Sequence, residues 1–114
     1  MNALNLENLA PGTVLGWVTG RVRDGHRETW DAALEKVWPE FLAEMSSNAG
    51  YQGAAALWAV ETGEVSVVGI WQSMEHRLAY EARSSGKVRA IFNALLEDPP
   101  TRVKQVVAKV HWAR

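Results

Sequence analysis

The sequence predicts a single α+β domain of ferredoxin-like order, β-α-β-β-α-β, with four antiparallel strands. Three observations predict it. Stretches rich in valine, alanine and tryptophan at strand-like spacing occur in four places. A long apolar stripe at helical spacing follows the first of them, and a shorter, interrupted one precedes the last. The middle two strands are joined by Glu61-Thr62-Gly63 alone, a link short enough to make them an antiparallel hairpin. That succession is the ferredoxin-like arrangement.

The chain has 114 residues and a mass of 12.6 kDa, which suits one domain. Residues 1–12 are expected to form a flexible N-terminal arm, punctuated by Pro11 and Gly12. The domain is expected over 13–112, with 113–114 as a tail. From Thr13 to Val22 the chain alternates: Val14, Val18 and Val22 share a face with Gly16 and Gly20, and Leu15, Trp17, Thr19 and Arg21 share the other. The two glycines weaken a strand but permit close approach by a helix or a ligand. Trp30, Ala33, Leu34, Val37, Trp38, Phe41, Leu42 and Met45 then recur at helical spacing, with a kink or break expected at Pro39. Tyr51–Val60 and Glu64–Gln72 read as the hairpin strands. Ser73 is an N-cap signal for a helix carrying Leu78, Ala79 and Ala82. Ser84-Ser85-Gly86 splits this second helical region, and Val88, Ile91, Phe92, Leu95 and Leu96 continue it to Asp98-Pro99-Pro100. The last strand is expected from Arg102 to about Trp112.

Both faces of the hairpin are largely apolar. Helices can cover one side of the sheet only. The other side would then expose more apolar surface than a monomer normally tolerates. A homodimer through facing sheets is therefore expected, closed by twofold symmetry.

Composition excludes several function classes. Twelve basic residues oppose thirteen acidic ones, so no strong positive field exists to gather nucleic acid or an anionic membrane. Without cysteine there is no disulfide, thiolate chemistry or cysteine-ligated metal. The N-terminus lacks a signal-peptide pattern and no stretch approaches the roughly 20 apolar residues of a membrane span, so a cytoplasmic protein is expected. The three histidines, His26, His76 and His111, are scattered, and no metal site is expected. No phosphate-cradling loop or serine elbow occurs.

Residue-level similarity to a known family is concentrated near Trp71. Gly50-Tyr51-Gln52-Gly53 enters a strand, the hairpin ends in Ile70-Trp71, and Gln72-Ser73-Met74-Glu75 leads into a helix with Tyr80. In this the chain resembles the antibiotic biosynthesis monooxygenase-like domain family, whose members form dimeric α+β barrels. The resemblance implies a cofactor-independent monooxygenase acting on a small aromatic or phenolic metabolite. It equally admits a non-catalytic protein binding a small hydrophobic ligand, and a haem-binding or haem-degrading relative. The polyketide-oxidising type carries an asparagine four residues before the strand-end tryptophan and a tyrosine six after it; this chain has Val67 and Arg77 there. The haem-degrading type pairs an N-terminal asparagine with a histidine on the second helical region. Here Asn2 and Asn5 lie early in the arm, and no histidine follows His76 in that region.

The candidate catalytic residues are His76, Tyr80 and Arg77. An imidazole can accept a substrate proton near pH 7, a phenol can orient a hydroxyl or carbonyl, and a guanidinium can stabilise an enolate or phenolate. The candidate substrate-binding residues are Trp71, Trp17, Trp58 and Arg89. An indole offers a flat apolar face to a planar ring, and Arg89 offers charge. Each also has a structural reading: packed core for the tryptophans, and a solvated helix face for His76 and the arginines.

Overall fold

The computed structural model describes residues 8–25, 27–59, 61–84, 86–97 and 100–111. The expected arm at 1–7, the tail at 113–114, His26, Ser85 and Trp112 lie outside the described residues. The elements run β1 (Val14–Arg21), α1 (Arg27–Ser46), β2 (Tyr51–Trp58), β3 (Glu64–Trp71), α2 (Met74–Arg83), α3 (Lys87–Asn93) and β4 (Thr101–Val106). One sheet holds all four strands in the order β2-β3-β1-β4, every neighbour antiparallel. This is the ferredoxin-like topology that the element order predicts.

The hairpin closes at Gly63, whose positive φ of 73° suits a residue without Cβ. The Arg27 guanidinium at the start of α1 ties this turn down by donating to the carbonyls of Glu61 and Thr62, each at 3.0 Å. Ser73 caps α2 as the sequence predicts, its Oγ accepting from the His76 N–H at 3.2 Å.

Three details differ from expectation. First, α1 runs through Pro39 without a break. The proline and Glu35, whose carbonyl loses its helical partner, both lie on the exposed side, where solvent reaches the freed group. Second, α2 does not bury Leu78, Ala79 and Ala82. Leu78 is 49% exposed, and the buried residues are Arg77 and Tyr80. Gly16 and Gly69 leave a depression in the sheet that long side chains can fill and alanines cannot. Third, β4 ends at Val106. Its partner β1 begins at Val14, and beyond that pair only Gly12 and Thr13 exchange bonds with Val107 before the chain turns at Pro11-Gly12. Among the described residues no strand remains to pair with residues 108–111.

All three helices pack on one face of the sheet. Two clusters form the core there. One joins Val22, Trp30, Val37, Val65, Phe92 and Leu96, with Trp58 packed against it. The other joins Val14, Met45, Trp71 and Tyr80, with Tyr51 alongside. The opposite face carries, by register, Leu15, Trp17, Val68, Ile70, Ala55, Leu57 and Val103. Leu57 and Val103 are about half exposed, at 56% and 47%.

Candidate functional site

A cavity of about 50 Å³ lies between the two clusters. Its floor is the sheet, where Gly16, Val18 and Gly20 of β1 face Val65, Val67 and Gly69 of β3. Gly16 and Gly69 are direct cross-strand partners, so two adjacent side chains are missing at one spot. A Cβ on Gly16 would lie 2.7 Å from Cζ and Nη1 of Arg77. The glycine is what lets a buried guanidinium lie against the strand. A Cβ on Gly69 would meet the Trp71 indole nitrogen at 3.2 Å and Arg77 Nη1 at 3.5 Å. Both donors therefore border the space above Gly69.

Trp71 is fully buried and its Nε1–H has no hydrogen-bond partner. Such an orphan donor is costly in a folded protein. Its ring stacks on Tyr80 at 4.8 Å and 24°, and Tyr51 meets it edge-on at 5.7 Å. Arg77 sits 5.4 Å from the Tyr80 ring centre, within cation–π range. It donates from Nε to Glu81 Oε1 at 3.0 Å, and Lys104 reaches the same oxygen at 3.0 Å. Glu44 lines the cavity from α1 and accepts from the Ser84 hydroxyl at 2.6 Å.

The electrostatics follow from this crowding. Burial pushes the Tyr80 phenol above its ordinary pKa, and the Glu44 charge adds to that; Arg77, the Ser84 hydroxyl and Arg89 offset it only in part. Burial also raises the Glu81 carboxyl, but hydrogen bonds and charge from Lys104 and Arg77 outweigh it and hold the pKa low. Arg102 is pulled below the ordinary arginine value by partial loss of hydration, then by the like charges of Arg89 and Arg77, with Glu81 and Tyr80 opposing. It stays protonated at any physiological pH.

An adjoining groove of about 310 Å³ is lined by Trp17, Arg77, Glu81, Arg89, Arg102, Val103 and Lys104. Arg77, Arg89 and Arg102 line both spaces and so form the wall between them.

Of the residues singled out from the sequence, Tyr80, Arg77 and Arg89 come together in the cavity wall. Trp71 lies directly behind that wall. Trp17 belongs to the opposite sheet face and borders only the groove. Trp58 packs 6.4 Å from Trp30 and donates to Asp31 Oδ1 at 2.8 Å, away from both spaces. His76 lies over Gly50 with its Nδ1 2.7 Å from Ser73 Oγ, at the helix cap and outside both linings. His111 is exposed beyond β4. Sequence reasoning missed Glu44, Ser84, Arg102 and Lys104. The one local signal that could have found any of them is the alternation of Arg102 and Lys104, which puts two cations on one strand face. No group of three histidine, aspartate or glutamate residues suited to a metal ion occurs among the described residues.

No protein-family model matches the chain, and no curated protein is similar to it in sequence. Solved structures are similar in fold. A monooxygenase of Streptomyces coelicolor, in complex with nanaomycin D, is 18% identical, covers 91% of this chain and 94% of its own, and superposes with a TM-score of 0.72. A cofactor-independent oxygenase of Streptomyces nogalater is 14% identical over 90% of this chain and 97% of its own, with a TM-score of 0.63. A Bordetella bronchiseptica protein described as a putative antibiotic biosynthesis monooxygenase is 16% identical over 82% of this chain and 95% of its own, with a TM-score of 0.64. The chain has the antibiotic biosynthesis monooxygenase-like fold. At these identities the likeness concerns architecture, and chemistry must be argued from side chains. No described helix is long and apolar enough to cross a membrane.

Proposed function

We propose that this protein is a cofactor-independent monooxygenase acting on a small aromatic or phenolic metabolite. One observation carries the reading: the orphan Trp71 N–H and the Arg77 guanidinium border the same space above Gly69. A phenolate oxygen seated there accepts from both and is stabilised by the arginine charge in a poorly hydrated site. Glu44, the carboxylate in the wall, takes the phenolic proton. Tyr80 remains a neutral donor, because its raised pKa keeps the phenol protonated. The phenolate then passes an electron to O₂ and the two radicals combine at the ring carbon. Loss of water leaves a quinone. The ring C–H and phenolic O–H supply the hydrogens, one oxygen atom stays in the product, and the other departs in water. Fold likeness to a cofactor-independent oxygenase supports the same class.

The open space is narrow, about 50 Å³. A ring gains room by displacing Arg89 and Arg102 toward the larger groove, since both are long and flexible. Haem does not fit the residues present: no histidine lines either space among the described residues. Non-catalytic binding of an aromatic metabolite is the second reading, favoured by Val67 and Arg77 at positions where the polyketide-oxidising type carries asparagine and tyrosine. We also assign the sheet face bearing Leu57 and Val103 to a homodimer, because burying that apolar surface is favourable by roughly 25 cal/mol per Å² before association costs.

Oxygen uptake by chelator-treated protein with electron-rich naphthols tests the enzyme reading. Uptake stoichiometric with quinone is expected. Tight binding without uptake would leave the binding reading in its place. Sedimentation at micromolar concentration tests the dimer; a 12.6 kDa particle would refute it.

A further inference from the structure

The cation cluster at the cavity mouth exceeds what a single phenolate requires. Arg77, Arg89, Arg102 and Lys104 converge from α2, α3 and β4. Glu81 serves Arg77 and Lys104 at once, through one oxygen. Neither Arg89 nor Arg102 has a carboxylate within 4.0 Å among the described residues. These two are also close enough to Arg77 and each other for mutual repulsion to be felt at Arg102. Four like charges gathered around the single carboxylate of Glu81 raise the energy of the free protein, and an anion placed among them relieves it. The position is informative as well. All three arginines stand in the wall between the apolar cavity and the polar groove, so their donors are reachable from a ligand ring held in the cavity.

We infer that the substrate is an aromatic acid: a ring bearing, besides its reactive hydroxyl, an anionic oxygen group that Arg89 and Arg102 bind at the mouth of the cavity. This rests on the reading of the cavity as an aromatic site but not on the oxidation step. Arg77 and Trp71 hold the inner oxygen above Gly69, and Arg89 and Arg102 hold the outer one. A carboxylate suits a guanidinium fork, which offers two parallel donors.

Two probes that differ only in the carboxylate test this: 1-hydroxy-2-naphthoate and 1-naphthol, titrated anaerobically into the full chain by calorimetry. The acid is expected to bind at least ten-fold more tightly at low salt, and the advantage to shrink as salt rises. In Arg89→Gln/Arg102→Gln the two probes should bind within about two-fold of each other. Arg102→Lys should restore part of the preference. Thermal melts confirm that each variant is folded. Equal affinities in the parent, an acid preference that survives the double substitution, or no binding of either probe would overturn the proposal. Inorganic phosphate is the third arm. If it binds with the same arginine dependence while the acid gains nothing over 1-naphthol, the cluster is a free-anion site and the proposal fails. Oxygen uptake with 1-naphthol but no acid preference would leave the enzyme reading standing and sink this one; acid preference without uptake would do the reverse.

Discussion

The two ends of the helix-covered face are built to different rules. At the Trp30 end, apolar side chains meet apolar side chains: Trp30 lies 5.7 Å from Phe92, Phe92 lies 5.9 Å from Phe41, and Val22 and Leu96 fill the base. At the Trp71 end the aromatic stack of Trp71 and Tyr80 is followed at once by a buried guanidinium, its Glu81 partner and two missing side chains. The first end lowers the free energy of folding. The second accepts a buried charge against a sheet that lacks two side chains, a feature that costs stability unless the charge is paired; an unpaired indole N–H occurs at both ends, on Trp30 and on Trp71. The cavity is lined from both ends, by Trp30, Phe92 and Leu96 on one side and by Arg77 and Tyr80 on the other, so the two rules meet at its walls.

Substitutions can test that contrast. Trp30→Ala should show the largest effect, a loss of about 3–5 kcal/mol in denaturant unfolding. If the folded variant still binds 1-hydroxy-2-naphthoate with parental affinity, the two ends are independent. Glu44→Gln should do the opposite: oxygen uptake should fall about 100-fold, with the unfolding midpoint nearly unchanged. A Glu44→Gln protein of full activity would remove the carboxylate from the proposed chemistry.

Gly16→Ala probes the floor. The new methyl group would fall where the Arg77 guanidinium lies, and that flexible tip can move aside. The expected outcome is a small change in melting temperature and about a ten-fold loss of ligand affinity, equivalent to 1.4 kcal/mol. Gly20→Ala, on the same floor but against Leu96 at 3.1 Å, should cost less affinity than Gly16→Ala, because its methyl group displaces no guanidinium.

The smallest effect is one of pH. Tyr80 has a folded-state pKa above its ordinary 10.0, so the unfolded chain loses that proton first. Its contribution is fully present below pH 10 and is lost as pH rises through the folded value. Tyr80→Phe should flatten the alkaline limb of the stability curve. A limb unchanged by the substitution would mean that other groups govern it.

Much of the architecture was legible in the residues. The hairpin follows from a three-residue link, β1 from its valines, and the division of the second helical region from Ser84 and Gly86. The strand glycines signalled close approach, and Gly16 does receive Arg77. The site was less legible, because its wall is assembled by residues far apart in the chain. Glu44 sits at the end of a long helix and Arg102 on an edge strand, and neither stands in a local pattern that marks it. Arg77 looked like solvent-facing helix surface, since nothing in its own segment reveals the hollow opposite it. His76 looked like a base, but its position near the helix start commits it to the Ser73 cap.

The break between α2 and α3 has a consequence for how such a site can diversify. Tyr80 and Arg77 hang from one short rod, and Arg89 from the next. In the proposed site, changes that tilt the later rod would alter the grip on a ligand's outer substituent and spare the inner contacts. One scaffold can in this way trade ligand families piecemeal while its reactive corner stays put.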